Sequence, residues 1–150
     1  MIDNDTMQLV ARHLAAENAH QMDETLATLH PDCVFEDVAL QQTFRGRAGA
    51  RDYYATWWSA FDVQVQGERR YLGTDGTMIA EARYIGRHVG DFYGIAASGK
   101  PIDLRLAVII GFRDGLMNGE RFYYDLAGLL RQIGARTEHL RVGGLQRVAA

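Results

Sequence analysis

Cysteine and proline are scarce in this chain of 150 residues, which contains one cysteine and two prolines. The single cysteine, Cys33, excludes an internal disulfide and a zinc site built from several thiolates. Because Val34 and Phe35 follow it, we expect Cys33 to be a buried and unreactive thiol. A protein that depends on no disulfide is typical of a reducing compartment, and the predicted location is the cytoplasm.

Basic charge is also in short supply. The sequence has 16 Lys and Arg residues against 19 Asp and Glu residues, a net charge of -3 and a pI near 5.9. Nucleic-acid binding needs a concentrated basic field, which this balance does not supply. The locally basic stretch at 131–147 is too short to change that expectation. We therefore predict no nucleic-acid partner.

Long hydrophobic runs are missing as well. The longest apolar run, Leu106–Phe112, is far too short to cross a bilayer, and the first residues lack the basic and apolar regions of a signal peptide. We accordingly expect no membrane partner. With 47% apolar and 23% charged residues, the chain is predicted to form one globular domain over 1–150, with about 135–150 as a C-terminal extension.

Helical spacing dominates the first part of the chain. Asp3–Asp5 offer N-caps for a first helix, whose apolar residues recur at intervals of three and four. A second helix is predicted over 22–29, because the residue before Pro31 disfavours the helical conformation. A short strand is predicted at 33–37. After a loop with two glycines, an aromatic-rich third helix is predicted at 50–61.

The rest of the chain follows the pattern of strands and tight turns. Asp75-Gly76 and Asp114-Gly115 favour hairpin turns, since aspartate and glycine tolerate positive φ angles. Glycines recur in the second of the four predicted strands, where they permit bulges and curvature. Such a meander, bent by glycine and faced by three helices, should curl around a cavity. The predicted strands are at about 63–73, 77–94, 102–113 and 116–125.

Several motifs occur together in the stretch from Gly86 to Gly134. They are a glycine-rich strand, a turn of a small residue, glycine and lysine, an Asp-Gly hairpin, and the closing sequence DLAGLLRQIG. Their combination resembles the SnoaL-like polyketide cyclases and the related ester cyclases of the nuclear transport factor 2-like superfamily. The resemblance implies an α+β, cystatin-like cone, in which three N-terminal helices pack on a strongly curved antiparallel sheet around a pocket.

The same resemblance implies an intramolecular aldol ring closure of a small carbonyl or polyketide-like substrate, with neither a metal nor an organic cofactor. The general acid/base of the family is the aspartate at the end of the last long strand, which here is Asp125. Family members often carry a glutamate and a tryptophan six and four residues earlier, where this chain has Gly119 and Arg121. The pocket is therefore reshaped, and no particular substrate carries over.

Arg121 and Tyr123 precede Asp125 at a spacing of two, so these three side chains are expected on one face of the last strand. If that face is concave, the carboxylate stands beside a phenol and a guanidinium in an apolar cavity. Burial then raises its pKa toward the range useful for proton transfer. The alternative interpretation is that Asp125 caps the helix Leu126–Ile133, because aspartate is a preferred N-cap.

Other candidates surround this group. Asp37 is a second catalytic candidate, since Glu36-Asp37 resembles the pair that holds the base of ketosteroid isomerases; alternatively, it binds backbone amides at the start of a loop. His88 is a candidate donor to a substrate carbonyl, although strand parity leaves open whether His88 or Asp91 faces the pocket. The remaining predicted substrate-binding residues are Trp57, Tyr54, Phe35 and His13, the last of which is also typical of a semi-buried histidine with satisfied hydrogen bonds.

Three functions remain open on these grounds. The first is a cofactor-independent enzyme that uses Asp125, and the second is a non-catalytic carrier or sensor of small apolar ligands. The third, an isomerase or epoxide hydrolase, requires Asp91 or Asp37 to face Asp125 across one cavity. The histidines show no metal-ligand spacing with acids, so no metal is predicted. The resemblance also implies a homodimer through the polar sheet face that carries Glu81, Arg83, Asp103 and Arg105.

Overall fold

The structure is a computed structural model that describes residues 4–136. The predicted C-terminal extension therefore lies almost entirely outside the described residues. Four helices and six strands make up the described part of the chain. In order they are α1 (Asn4–Asn18), α2 (Met22–Ala27), β1 (Leu29–Asp37), β2 (Gln42–Arg45), α3 (Gly46–Ala60), β3 (Phe61–Leu72), β4 (Met78–His88), β5 (Pro101–Arg113), β6 (Leu116–Tyr124) and α4 (Leu126–Ile133).

The strands form one sheet in the order β2-β1-β6-β5-β4-β3. β1 and β6 run parallel, and all other neighbours are antiparallel. α3 contacts β1, β2 and β3, while α1 contacts β3 and β6, so these helices cover the inner face of the sheet. The α+β architecture with helices packed on a mainly antiparallel sheet is confirmed.

The side chains that point to one face of the sheet, at every second position of a strand, form the core. In β5 the side chains of Ile102, Leu104, Leu106, Val108 and Ile110 are all buried, as the two-residue period predicts. Each such side chain contributes roughly 1.5–3 kcal/mol to the free energy of folding. α3 adds a buried aromatic stripe against them, which consists of Tyr53, Tyr54 and Trp57.

Several element boundaries differ from the sequence-based expectation, and one strand is additional. α2 ends at Ala27, and β1 already begins at Leu29. The register of β1 against β6 shifts between Leu29 and Val34. Pro31 lies within this irregular stretch, where its missing backbone N–H leaves no hydrogen bond of the sheet unmade. The four-residue strand β2 lies where a loop was predicted. It is too short for an alternating pattern to be recognised in the sequence.

The second predicted long strand is also shorter than expected. β4 ends at His88, and the chain then turns through a loop that an isolated bridge between Phe92 and Ile95 closes. Within this loop Asp91 Oδ1 accepts a hydrogen bond from the backbone N–H of Gly94 at 2.9 Å, an Asx turn that competes with strand pairing. None of the described helices is long and apolar enough to cross a membrane.

Candidate functional site

A cavity lies between α1 and the inner face of strands β3 to β6. The centre of a water-sized sphere can occupy about 60 Å³ of this cavity. Most of its wall is aliphatic or aromatic, with the exposed Arg69 and Arg70 at the rim. The polar side chains of the inner wall are those of His13, Glu17, Tyr84 and Glu120.

Two buried carboxyls dominate the inner wall of this cavity. Glu17 on α1 is 8% exposed, and Glu120 on β6 is 7% exposed. His13, one helical turn before Glu17, holds its Nε2 atom 3.8 Å from Glu17 Oε2 and 3.8 Å from Glu120 Oε1. Both carboxyls therefore meet at one imidazole nitrogen, within an otherwise apolar chamber.

A β-bulge turns Glu120 toward the cavity. The register of β5 against β6 shifts between Gly111 and Phe112, so Asn118 is an extra residue in β6. Gly119 follows with φ of 140°, and a Cβ atom there would lie 2.0 Å from the carbonyl oxygen of Val34. Only glycine fits this position. After the bulge, Glu120 points inward.

Burial sets the charge states of this cluster. It lowers the pKa of His13 from 6.5 to about 4 and raises the pKa of Glu17 from 4.5 to about 7. Desolvation also raises the pKa of Glu120 well above its usual range, and the nearby Glu17 raises it further. Near neutral pH the imidazole is therefore uncharged, Glu17 exchanges its proton, and burial favours the protonated form of Glu120.

A hydrogen-bond chain runs from Glu120 to the end of α2. Thr28 Oγ1 donates to the carbonyl oxygen of Thr25 at 2.6 Å, so it accepts from His13 Nδ1 at 2.7 Å. The neutral His13 then accepts at Nε2 from the Tyr54 hydroxyl, 3.0 Å away. Tyr54 Oη also lies 3.3 Å from Glu120 Oε2, which completes the chain.

The inner wall adjoins a smaller space, the inner hollow, between α3 and strands β3 and β4. Its volume open to water-sized centres is about 10 Å³. Glu17, Val65 and Tyr84 border both the cavity and the hollow. Tyr84 Oη donates to Glu17 Oε1 at 3.4 Å at this border. The other residues around the hollow are Asn18, Tyr53, Tyr54, Trp57, Trp58 and Val63.

Asp125, Tyr123 and Arg121 do not line the cavity, so the condition under which they would form its acid/base group is not met. All three side chains are exposed on the outer face of the sheet or beyond its edge. Asp125 Oδ1 accepts a hydrogen bond from the backbone N–H of Gly128 at 2.8 Å, which is the N-cap alternative. Arg121 Nε donates to Glu36 Oε2 at 2.5 Å. After the bulge in β6, Arg121 and Tyr123 point away from the cavity.

Asp37 is buried but does not line the cavity. Its Oδ1 accepts from the backbone N–H of Leu40 at 2.9 Å, and the Tyr124 hydroxyl lies 2.9 and 2.8 Å from its two oxygens. Burial raises the pKa of Asp37 despite these hydrogen bonds. This geometry matches the alternative in which Asp37 organises the chain after β1, while its predicted acid/base role stays untested.

His88 and Phe35 also lie outside the cavity. His88 is fully buried and accepts at Nδ1 from the backbone N–H of Ser98 at 3.2 Å, so it fixes the loop that leads to β5. Phe35 packs edge-on against Tyr53 and Tyr54 with ring centroids 5.5 Å apart in both pairs. Asp91 is exposed in its loop, so neither Asp91 nor Asp37 faces Asp125 across a cavity.

Of the predicted residues, the structure brings three to the cavity or the hollow: His13, Tyr54 and Trp57. Sequence reasoning missed Glu17, Tyr84 and Glu120. Glu120 shares strand parity with the apolar Phe122, which was the available signal for an inward face. Among residues 4–136, no three His, Cys, Asp or Glu side chains are grouped to hold a metal ion.

Comparisons with known proteins agree on the fold. A family model described as SnoaL-like polyketide cyclase matches residues 7–133. TsrD from Streptomyces laurentii is 31% identical, with a TM-score of 0.76 over 90% of this chain and 99% of that chain. A protein from Jannaschia sp. CCS1, described as a SnoaL-like polyketide cyclase, is 22% identical, with a TM-score of 0.79 over 89% and 94% of the two chains.

A third solved structure carries a ligand. It is a hypothetical protein with a ketosteroid isomerase-like fold from Catenulispora acidiphila DSM 44928, in complex with trimethylamine. It is 21% identical, with a TM-score of 0.74 over 87% of this chain and 95% of that chain. These neighbours confirm the expected ketosteroid isomerase-like, nuclear transport factor 2-like fold. No curated protein sequence matches the chain.

Proposed function

Because the chain belongs to the SnoaL-like polyketide cyclase family, we propose that it is a cofactor-independent enzyme that transfers protons at a carbon next to a carbonyl group. The observation that carries this proposal is the pair of buried carboxyls, Glu17 and Glu120, which face an apolar cavity beside His13. The substrate class is a small, largely apolar ketone or polyketide-like ester. The substrate's apolar body fits the aliphatic wall.

The two glutamates have different tasks in this proposal. Glu17, with its pKa raised to about 7, is the base that removes the α-proton. Glu120, whose pKa burial also raises, is the acid that delivers its proton to the product oxygen. Environments that hold two carboxyls in different protonation states are a recurring solution for acid/base chemistry near neutrality.

An aldol closure then balances without a further reactant. Glu17 takes the proton from carbon, the enolate carbon attacks a second carbonyl of the same substrate, and a C–C bond forms. The resulting alkoxide takes the proton of Glu120. A proton shift from Glu17 to Glu120 through solvent or the product restores the starting state. Tyr54 and His13 hold the Glu120 carboxyl in place during the cycle.

Isotope exchange tests this function without knowledge of the natural substrate. In D₂O the wild-type protein should replace the α-protons of α-tetralone with deuterium faster than buffer alone, as followed by NMR. Glu17→Gln should lose most of that rate, since an amide does not accept the α-proton. Glu120→Gln should keep the exchange, because the proposal uses its proton only for the alkoxide of the aldol step. Glu36→Gln, on the outer face, is the matched control and should exchange like the wild type. Equal rates in all variants would refute the proposal.

A second candidate function is the binding of a small organic cation without turnover. Two buried carboxyls beside the aromatic Tyr54 and Tyr84 are also a fit for an ammonium group, and the Catenulispora neighbour was solved with trimethylamine. The rim residues Arg69 and Arg70 repel a cation, so we rank this candidate second.

Calorimetry separates the two candidates. If the cation candidate holds, trimethylammonium should bind with release of a proton from the carboxyl pair, since a nearby positive charge lowers their pKa. The released proton is detected from the dependence of the heat on the buffer. No heat with trimethylammonium, together with α-proton exchange, leaves the acid/base function as the only one supported.

A further inference from the structure

Two residues that border the inner hollow carry hydrogen-bond donors without a partner. Tyr53 is 2% exposed and Trp57 is 3% exposed, yet neither Tyr53 Oη nor Trp57 Nε1 has a hydrogen-bond partner among residues 4–136. Buried polar groups are almost always paired, and an unpaired one costs roughly 1–3 kcal/mol. Two such donors beside one small space call for an explanation by a ligand atom.

From this we propose that Tyr53 Oη and Trp57 Nε1 form an oxygen-binding subsite in the inner hollow, where they hold the substrate carbonyl oxygen as negative charge develops on it. This inference rests on the proposed function and deepens it. The hollow, with about 10 Å³ open to water-sized centres, has the capacity for one atom of oxygen size.

The donor chemistry selects an acceptor. An indole N–H only donates, and burial raises the pKa of Tyr53 well above its usual range, so its phenol keeps its proton. Neighbouring rings fix both donors: Tyr53 stacks on Phe122 with centroids 4.8 Å apart, and Trp57 packs edge-on against Tyr124 at 5.7 Å. Donors fixed before the reaction stabilise an oxyanion without reorganisation.

The position of the hollow fits the proposed base. Glu17 borders both the cavity and the hollow, so a carbonyl oxygen in the hollow leaves the neighbouring α-carbon near the Glu17 carboxyl. When Glu17 takes the α-proton it becomes neutral as the oxygen becomes negative, so the two charges do not coexist.

The test uses para-nitrophenol, whose phenolate imitates an enolate oxygen and whose ionised fraction is read from visible absorbance. The wild-type protein should bind the phenolate in preference to the phenol. Tyr53→Phe should weaken phenolate binding at least about tenfold, the equivalent of one charged hydrogen bond. The rate constant kcat for α-tetralone exchange should fall about 100-fold, as is typical for one oxyanion donor. Trp57→Phe should act in the same direction.

Stability and a matched tyrosine complete the test. Because the Tyr53 hydroxyl has no protein partner, Tyr53→Phe should keep or raise the melting temperature. Tyr93→Phe, which removes a hydroxyl that donates to Gln42 at 2.7 Å away from the hollow, should leave phenolate binding unchanged.

Phenolate binding and exchange that match the wild type in Tyr53→Phe and Trp57→Phe, or a marked loss of melting temperature in Tyr53→Phe, would mean that the hollow holds only a structural water and would overturn the inference. If no α-proton exchange occurs in the wild type, the proposed function fails, whereas the phenolate titration still decides whether the subsite exists.

Discussion

Glu17 and His13 respond to burial in opposite directions, although they lie one helical turn apart. Removal from water disfavours the charged form of each, so the glutamate holds its proton up to a pKa of about 7 and the histidine loses its proton above a pKa of about 4. The cluster thereby avoids a buried ion pair, which costs more desolvation energy than it regains unless its hydrogen bonds are complete. A neutral cluster also leaves the cavity suited to an uncharged ketone.

The first prediction concerns the rate of α-proton exchange. If Glu17 is the base, the rate should rise with pH through about 7, the pKa of this carboxyl, because only the ionised form accepts a proton. The Tyr84 hydroxyl donates to Glu17 and lowers that pKa. Tyr84→Phe should therefore move the midpoint of the pH–rate profile to higher pH. A midpoint that stays in place or moves down contradicts the assignment of the base.

The second prediction concerns the free energy of unfolding. The Glu17 pKa is about 7 in the folded protein and near 4.5 when exposed, so the folded state binds the proton more tightly. The contribution of Glu17 to the free energy of unfolding therefore falls as pH rises from 4.5 to about 7. The His13 pKa is about 4 when folded and near 6.5 when exposed, so its contribution grows as pH rises between those values. The two effects oppose each other.

Variants separate these contributions. Relative to the wild type, the double variant Glu17→Gln/Glu120→Gln should gain stability as pH rises, on the order of 3 kcal/mol for one carboxyl shift of this size. His13→Gln should show the reverse, with a steeper decline toward pH 7. Urea unfolding at several pH values measures both. Parallel stability profiles for all three proteins would show that these groups are not buried as described.

At the scale of elements, the closing sequence DLAGLLRQIG attaches a helix to the sheet. Asp125 caps α4, and Leu129 and Leu130 are buried. The Gln132 side chain accepts from the Asp103 backbone N–H at 2.6 Å and donates to the Asp103 carbonyl at 3.0 Å. Gly134 ends the helix with φ of 77°. The motif that resembles the family thus has a complete structural explanation in this chain.

The third prediction follows from that explanation. Asp125→Ala should destabilise the protein by about 1 kcal/mol through loss of the N-cap, with the α-proton exchange rate unchanged. Asp125→Asn should cost less, since asparagine is also a good N-cap. Chemical denaturation and the exchange assay measure the two effects. If Asp125→Ala loses exchange while Glu17→Gln keeps it, the acid/base role returns to Asp125.

Helices and strands whose apolar repeat continues over many residues were predictable from the sequence. The direction in which an individual side chain points was not. The alternation of β5 and the spacing of α1 predicted both elements, and Glu17 already falls on the apolar side of that spacing. Glu120 was missed because parity was counted back from Asp125, which put Arg121 inside. The bulge at Asn118 depends on how closely β1 approaches Gly119. That approach is a tertiary contact, and no local pattern reports it.

At the scale of the whole molecule, the outer face of the sheet is a distinct surface. Cross-strand neighbours there combine Ile79 with Ile109 and Ala107 with the 42% exposed Tyr123. Charged side chains surround them, among which Arg83 pairs with Asp103. The homodimer through this face stays a prediction of the family resemblance, and the cavity lies on the opposite side of the sheet.

The fourth prediction tests that homodimer. In a two-fold dimer a central residue lies near its own copy, so Ala107→Glu would bring two like charges together and dissociate the pair. Sedimentation velocity should give a dimer for the wild type and a monomer for Ala107→Glu. Ala55→Glu, an exposed alanine of α3 on the helical side, is the matched control and should remain dimeric. A monomeric wild type at micromolar concentration would refute the prediction. Because the cavity is built from the inner face of one chain, the Ala107→Glu monomer should still exchange α-protons at the wild-type rate.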